Sequence, residues 1–481
     1  MKSSLILRAA LPALIALAGA TPAQGQVSGP TPAAAVRSCH LPGVVDALRC
    51  VTLPVALDPA KPGATLKLHA TVAPAFREAA RPDPLFVLAG GPGQAGSEIL
   101  PLLSQAFRRV RATRDIVFID QRGTGLSGKL DCETRPEHET MSEAQLEAEA
   151  HKCISATHRR FDLYTTAHAV RDIEQVRRAL GYGKINLWGG SYGTRLAQAY
   201  ARAYPASVRS LVLDGVAAPD QVIPAGGRDS QAALDKLFDQ CARDRACNQA
   251  FPALRAEFAR LSDKVAPGLA LTVANPRTAQ PVTMTMTSQI FLGTVHNILY
   301  SPGDARRLPF LIHSAAQGRW EPFIARRNIS SDFSSDSSSA MLLHLAVVCA
   351  EDMPRLTPAL LAADAAVLTR PMVERMPALC KSMNVPAVPF VAPTRIDAPA
   401  LLLSGALDPV TPPHRAAAAA RHMLAAQQLV VENAGHGVSQ LGCAPRLLRE
   451  FLDRPQAKLA ASCLAEIPAP TFQLGSAGPQ P

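Results

Sequence analysis

The chain contains no apolar run long enough to cross a membrane. A transmembrane helix needs about 20 consecutive apolar residues, whereas the longest run beyond the first residues, AMLLHLAVVCA, has the length of a buried core helix. The arginines form no basic block and are not interleaved with aromatics, so the net charge of +10 indicates a solvated surface. We therefore expect neither stable membrane insertion nor a nucleic-acid partner.

Paired C-x-x-C ligands and the lysine of a phosphate-binding loop are also missing, so no metal and no cofactor are expected. The ten cysteines instead fall in pairs of sequence neighbours. In an exported chain, an even number of closely spaced cysteines indicates disulfides, although sequence alone does not determine their connectivity. The predicted bridges are Cys39–Cys50, Cys132–Cys153, Cys241–Cys247, Cys349–Cys380 and Cys443–Cys463.

The beginning of the chain has the pattern of an export signal. Lys2 and Arg8 precede and border a short apolar stretch at 9–17, and small residues follow at 18–20. This order is typical of a secretory signal peptide, which we predict to cover 1–20. The protein is therefore expected to be exported, either to the periplasm or out of the cell.

Short apolar strands alternate with helical patterns early and late in the chain. PLFVLAGGPG, RDIVFIDQRGTG and VRSLVLDGV are early strands, and APALLLSGALD and QLVVENAGH are late ones. This alternation predicts an α/β fold with a mostly parallel central sheet. It breaks at 219–393, where the pattern is mainly helical with one hairpin, LALTVANPRTAQPVTMTMT. We interpret this segment as an inserted cap above the carboxyl edge of the sheet, where such sheets bind ligands.

The pentapeptide GGSYG places Ser191 between an apolar strand and a helical pattern. A G-x-S-x-G motif on a strand-to-helix turn exposes its serine as a nucleophile, and the glycines remove side chains that would clash in the tight turn. An ordinary glycine-rich turn between a strand and a helix is the alternative. The motif alone does not decide between them.

A serine hydroxyl needs a base to act as a nucleophile, and the base needs an orienting acid. Asp408 follows the strand ALLLSG, and His436 follows the strand LVVENA. This is the order along the chain that accompanies the motif, so we predict Ser191, Asp408 and His436 as catalytic residues. Asp214, at the end of another strand, is the rival acid and is interpreted as structural. Simple turn roles for Asp408 and His436 are the remaining alternative.

Acyl transfer also needs donors for the developing oxyanion. The backbone N–H of Tyr192, directly after the serine, is one predicted donor, and that of Gly91 in AGGPGQAG is the other. Arg122, in DQRGTGLS, is expected to brace the site rather than to react.

Together these motifs resemble the proline iminopeptidase and tripeptidyl aminopeptidase family of α/β-hydrolase serine peptidases. The motifs that carry the resemblance are GGPG, DQRGTGLS, GGSYGTRLA, GALDPVTPP and GHGVSQLGC, in that order. Proline iminopeptidases usually have a histidine before GGPG, where this chain has Ala89, and this difference favours the tripeptidyl branch. The resemblance implies an α/β-hydrolase core at 39–218 and 394–472, the second part being similar to the carboxyl-terminal region of that branch, with the cap at 219–393.

The expected function is that of an exported serine aminopeptidase acting on peptides, and a small-molecule esterase is the alternative. A non-catalytic binding protein would have lost a residue of the triad, and none is lost. An aminopeptidase must hold the substrate's ammonium, for which adjacent carboxylates in a confined pocket are suited. Glu351 and Asp352, directly after MLLHLAVVC, are the predicted amine-binding residues. A solvated helix end or a salt bridge to an arginine is the alternative. The oligomeric state is not predicted.

Overall fold

The computed structural model describes residues 34–478, apart from 62, 134, 136–137, 139–140, 158, 275–277, 328–338 and 365–366. The predicted signal peptide at 1–20 lies outside the described residues. The strands are β1 (Ala35–Cys39), β2 (Leu48–Ala56), β3 (Thr65–Ala73), β4 (Leu85–Leu88), β5 (Ile116–Asp120), β6 (Ile185–Gly190), β7 (Val208–Asp214), β8 (Leu269–Ala274), β9 (Pro281–Met286), β10 (Ala400–Gly405) and β11 (Ala426–Val431).

One large sheet has the strand order β1-β2-β3-β5-β4-β6-β7-β10-β11. Strands β1, β2 and β3 pair in antiparallel fashion with each other, and β3 pairs in the same way with β5. From β5 to β11 every neighbouring pair is parallel. The central strands β4 and β5 are buried along their whole length, which explains their continuous apolar sequences. The predicted mostly parallel sheet is confirmed.

Helices occupy both faces of this sheet and most of the segment between β7 and β10. They are α1 (Leu102–Gln105), α2 (Arg108–Arg111), α3 (Glu143–Ala156), α4 (Thr166–Ala179), α5 (Tyr192–Ala203), α6 (Gly227–Arg243), α7 (Arg245–Ala250), α8 (Leu254–Val265), α9 (Ser288–Ile298), α10 (Pro302–Ala305), α11 (Leu308–Ala316), α12 (Met341–Val347), α13 (Pro358–Ala363), α14 (Arg370–Met383), α15 (Pro413–Ala420) and α16 (Ala444–Asp453). Among the described residues, none of these helices is both long and apolar enough to span a bilayer.

Two hydrophobic layers hold the helices against the sheet. On one face α4, α5 and α15 pack on the strands, and Leu196 and Tyr200 of α5 lie one turn apart in this core. On the other face α2 and α16 contribute, with Phe107 and Phe451 packing in the same cluster as Trp188 of β6. Strand β6 contributes to both layers and α5 to the first, so the turn between them is flanked by elements that are packed in the core.

The segment predicted as a cap, 219–393, holds α6 to α14 and the hairpin β8–β9, which pairs in antiparallel fashion as predicted. Its helices and hairpin build a separate hydrophobic cluster, in which Phe291 packs against Phe258, Trp320 and Phe323 and to which Phe472 from the end of the chain also belongs. A separate cluster joins α12 to Tyr192 at the start of α5. The predicted domain boundaries, and the role of this segment as a cap, stay predictions.

All five predicted cysteine pairs are at disulfide-bonding distance. The Cys349–Cys380 bridge connects a π-helical segment (Val348–Asp352), which continues α12, to α14. The Cys443–Cys463 bridge connects the start of α16 to the chain beyond it. Disulfides of this number are typical of proteins from oxidising compartments.

Candidate active site

The turn between β6 and α5 holds Ser191 in a backbone conformation that residues other than glycine rarely adopt. Its φ is 53° and its ψ is −125°. A Cβ at Gly189 would overlap the carbonyl oxygen of Gly193, and a Cβ at Gly193 would overlap that of Leu88. The serine is fixed by its own backbone, because its N–H donates to the Asp214 carbonyl over 2.9 Å. Strain of this kind persists where the surroundings enforce it, and it is common at functional sites.

The predicted acid and base lie side by side in the loops after β10 and β11. His436 Nδ1 lies 2.8 Å from Asp408 Oδ2. Asp408 is buried and accepts three further hydrogen bonds, from the N–H groups of Val410 and Thr411 at 2.9 Å and from Thr411 Oγ1 at 2.7 Å. Because Nδ1 donates to this carboxylate, Nε2 is left as the proton acceptor of the imidazole.

The electrostatics of this pair favour a charged Asp408 and a readily protonated His436. Burial alone would lower the pKa of His436, but the charge of Asp408, its hydrogen bond and the charge of Asp214 outweigh burial and raise the pKa above its ordinary value. Burial alone would raise the pKa of Asp408, yet His436 and the N–H donors lower it. The aspartate therefore remains ionised and stabilises an imidazolium ion.

Asp214, the rival acid, holds the histidine loop instead of the imidazole. Its carboxylate accepts hydrogen bonds from the N–H groups of Val438 and Ser439, each over 2.8 Å. Trp188 Nε1 donates to Ser439 Oγ over 2.9 Å and pins the same loop from β6. These contacts agree with the structural interpretation of Asp214.

A cavity of about 240 Å³ opens at the turn that holds Ser191. Ser191, Tyr192 and Gly91 all line it, so the predicted nucleophile and both predicted oxyanion donors face one space. The N–H of Tyr192 belongs to the first turn of α5, where backbone donors have no partner within the helix. Ser191 and the two predicted oxyanion donors, which belong to the loops after β6 and β4, therefore border the same cavity.

Apolar and neutral side chains form most of the remaining wall of the cavity. They include Ile223, His296, Tyr300, Val348, Met372 and Met376. Burial, with the nearby charge of His436, lowers the pKa of His296 to about 4, so this ring is neutral at pH 7. Of the lining residues that the structure describes, Arg195 is the one with a permanent charge.

In the described part of the chain, no hydrogen bond joins Ser191 Oγ to His436. The backbone N–H of His436 donates to the Tyr300 carbonyl over 2.9 Å. The Tyr300 and His436 rings pack edge to face with their centroids 5.0 Å apart. Catalytic hydrogen bonds are often long in the absence of substrate and tighten when it binds. The backbone of His436 is thus held in place by Tyr300.

Residues 83–439 match the family described as the alpha/beta hydrolase fold. The chain belongs to the α/β hydrolase family. This match covers β4 to β7 before the segment 219–393 and β10 and β11 after it, and it confirms the predicted fold class.

Three peptidases are among the relatives of this α/β hydrolase. It is 29% identical over 185 residues to the serine protease Hip1 of Mycobacterium tuberculosis, with 34% of this chain and 36% of Hip1 covered. It is 28% identical over 194 residues to the tripeptidyl aminopeptidase of Streptomyces coelicolor, with 36% of each covered. It is 35% identical over 143 residues to the proline iminopeptidase of Neisseria gonorrhoeae, with 29% of this chain and 36% of that protein covered. The chain thus spans about a third of the length of each relative.

The side chain of Arg122 is buried in this hydrolase and does not line the cavity. Its guanidinium forms a two-pronged ion pair with Asp172, with N–O distances of 2.7 and 2.8 Å, and also donates to the carbonyls of Leu57 and Leu163. These contacts join the loop after β5 to α4 and agree with the predicted bracing role.

The predicted amine-binding pair, Glu351 and Asp352, lies in the buried π-helical segment after α12. Arg195 bridges the two acids at 3.1 and 2.9 Å, and Arg355 pairs with Asp352 at 2.8 Å. Neither acid lines the cavity. Two acids and two arginines leave no net negative charge for an ammonium ion, so these contacts favour the salt-bridge alternative.

Several residues of the site were not predicted from the sequence. Thr411 supports Asp408 from three residues further along, a spacing typical of side chains that cap their own turn, and this signal could have been found. Two other residues act through partners far away in the sequence. Thr166 contacts Tyr192 and Glu351. Arg195, one helical turn after Ser191, pairs with Glu351. No local pattern indicates those partners.

Proposed function

We propose that this α/β hydrolase is an exported serine aminopeptidase that releases N-terminal residues or short peptides through Ser191, His436 and Asp408. The observation that carries the proposal is the 2.8 Å bond between His436 and Asp408. Tyr300, which contacts the His436 ring, and Thr411, which donates to Asp408, line the same cavity as Ser191. The three named relatives, a serine protease and two aminopeptidases, support the peptidase type.

In this mechanism Ser191 Oγ attacks the carbonyl carbon of the substrate while His436 Nε2 takes its proton. The oxyanion of the tetrahedral intermediate accepts hydrogen bonds from the N–H groups of Gly91 and Tyr192. The imidazolium, stabilised by Asp408, gives its proton to the leaving amine as the C–N bond breaks. Water then attacks the acyl-enzyme by the same route, and the acid product leaves as Ser191 regains its proton.

The cavity favours an apolar residue on the acyl side of the scissile bond. Ile223, Val348, Met372 and Met376 supply apolar walls, and methionine side chains adapt to different shapes. The volume of about 240 Å³ is suited to one or a few side chains rather than to a long folded segment. We therefore propose short peptides with apolar residues as substrates.

A carboxylic-ester hydrolase remains the second candidate because of one observation. Among the described residues that line the cavity no acid is found, and Glu351 and Asp352 are already paired with arginines. A site that binds a neutral acyl group would need no acid. The same triad cleaves esters readily, so the triad does not separate the two functions.

Export is proposed from two features that support each other. The first residues have the pattern of a signal peptide, and five cysteine pairs are placed for disulfides, which persist in oxidising compartments. Fractionation of cells that express the full chain tests the proposal. Recovery of the protein in the cytoplasm with reduced cysteines would contradict it.

The test of function compares three substrates: a free-amine tripeptide anilide, its acetyl-blocked form and a small acyl ester. We expect cleavage of the free-amine peptide and little cleavage of the blocked one. Ser191→Ala should abolish turnover and labelling by a fluorophosphonate, whereas Ser104→Ala, at an exposed serine of α1, should change neither. Equal cleavage of the blocked peptide would contradict the aminopeptidase type, and cleavage of the ester alone would favour the esterase.

A further inference from the structure

A chain of hydrogen bonds leads from the side chain of Tyr192 to the segment after α12. Tyr192 Oη lies 2.8 Å from Thr166 Oγ1, which lies 2.7 Å from Glu351 Oε2. The carboxylate can only accept, so Thr166 donates to it and accepts from the Tyr192 hydroxyl. Glu351 Oε1 also accepts the Thr166 N–H over 2.7 Å. Both oxygens of Glu351 are thus bound at the first residue of α4.

A second contact reaches α5 about one turn beyond Tyr192. Arg195 of α5 donates to Glu351 Oε2 over 3.1 Å and to both oxygens of Asp352 over 2.9 and 3.0 Å. Arg355 holds the acids in turn, since it donates to the Glu351 carbonyl and to the Asp352 carboxylate. Glu351 therefore holds α5 at two side chains, Tyr192 and Arg195, both close to the nucleophile.

The backbone of Tyr192 is one of the two proposed oxyanion donors. Its ring is buried, with 3% of its surface exposed, and its hydroxyl is held at the far end. A ring fixed at its tip fixes the Cα to which it is attached, and thereby the direction of the adjoining N–H. The value of an oxyanion donor depends on such preorganisation, because the donor must point at the charge as it develops.

We propose that Glu351 is a positioning residue for the oxyanion hole. Through Thr166 and through Arg195 it fixes the direction of the Tyr192 N–H. This role rests on the proposed serine hydrolase function and replaces the amine-binding role that the sequence indicated for Glu351. The carboxylate does not line the cavity, and each of its oxygens already accepts from a protein donor. Glu351 is thus placed to act on the donor and not on the substrate.

The two roles differ in the kinetic constant that they affect. Loss of an amine anchor raises KM for free-amine peptides and leaves esters unaffected. Loss of positioning lowers kcat for peptides and esters alike, because both pass through the same oxyanion. Removal of a whole oxyanion donor lowers kcat by about 10²–10³-fold. A displaced donor should therefore lower it by roughly 10- to 100-fold.

The experiment measures kcat and KM of Tyr192→Phe, Thr166→Val and Glu351→Gln on the free-amine peptide and on the ester. Rates are normalised by active-site titration, so a fraction of unfolded enzyme does not lower kcat. We expect each variant to lose kcat by about 10-fold or more on both substrates, with KM changed by less than about 3-fold. Affinity for an alkyl boronic acid, which mimics the tetrahedral adduct, should fall in parallel.

Two variants serve as matched controls. Thr166→Ser keeps the hydroxyl and should stay within about 3-fold of the wild-type kcat, a rescue that lost packing would not produce. Glu321→Gln removes a carboxylate at an exposed position and should have no effect. Tyr192→Phe and Thr166→Val leave both acids with their arginines, so they decide the question if Glu351→Gln fails to fold.

Wild-type kcat in both Tyr192→Phe and Thr166→Val would overturn the proposal. A Glu351→Gln enzyme with raised KM for free-amine peptides alone would overturn it in favour of amine binding. Labelling of wild-type Ser191 by a fluorophosphonate separates this failure from that of the proposed function. If Ser191 is labelled, the serine hydrolase stands whatever the variants do, and if it is not labelled, both proposals fall.

Discussion

Replacement of Asp408 by asparagine tests the proposed acid most directly. The carboxylate accepts from four donors: two backbone N–H groups at Oδ1, and Thr411 Oγ1 and His436 Nδ1 at Oδ2. Asparagine offers one acceptor oxygen. If this oxygen keeps the two backbone donors, the new NH2 group faces His436, where it can only donate.

An NH2 donor at this position reverses the tautomer of the imidazole. Nδ1 must then accept, so the proton moves to Nε2, which can no longer take the proton of Ser191. In the well-studied Ser-His-Asp template this change lowers kcat by about 10⁴-fold, equivalent to roughly 5 kcal/mol at about 1.36 kcal/mol per factor of ten. We expect a loss of this size in Asp408→Asn, with KM little changed.

The assay is steady-state cleavage by the titrated enzyme, with circular dichroism and denaturant unfolding to confirm that the fold is intact. Asp214→Asn is the matched control, because it makes the same chemical change at the rival acid. It should weaken the hold on the backbone of Val438 and Ser439 and reduce kcat far less than Asp408→Asn does. Wild-type turnover by Asp408→Asn together with an inactive Asp214→Asn would refute the assignment.

Three further predictions follow from contacts described above. The value of kcat/KM should fall with decreasing pH and be half-maximal above pH 6.5. The raised pKa of His436 keeps its ring protonated up to a higher pH, and a protonated ring cannot accept the proton of Ser191. A midpoint below pH 6.5 would contradict this prediction. Arg122→Met should lower the free energy of unfolding by about 3–5 kcal/mol, since it leaves the buried Asp172 unpaired, whereas an unchanged stability with lost kcat would mean that Arg122 takes part in the reaction. Mass spectrometry of a non-reduced digest should find the five predicted bridges, and free thiols at several positions would contradict them.

The parts of the site that could be predicted lie where a local pattern marks the end of a strand. Ser191, Asp408 and His436 each follow an apolar strand and stand beside glycine or proline. Parallel strands have their carboxyl ends at one edge, so the three residues could be placed together before the strand order was known. The central strands were recognisable for a related reason, because burial on both faces leaves a continuous apolar sequence.

The parts that could not be predicted depend on pairs of residues far apart in the chain. Thr166 and Glu351 are separated by 185 positions, and neither stands in a motif that indicates the other. The ion pair of Arg195 with Asp352 crosses a similar separation. Their partners become visible only once α4, α5 and the segment after α12 are packed together. For the same reason the sequence indicated acids suited to an ammonium ion, whereas the fold supplies arginines to both.

The order of the strands along the chain determines which residues of the proposed site are made last. Strand β10 joins the sheet beside β7, and β11 joins beside β10, so the last two strands complete its edge. Ser191 is made before these strands, whereas Asp408, the proposed acid, and His436, the proposed base, lie in the loops that follow them. A nascent or truncated chain that ends before β10 would contain Ser191 without the proposed base and acid, and we expect it to have no hydrolase activity. We therefore expect hydrolysis only from a chain in which both of the last two strands have been made.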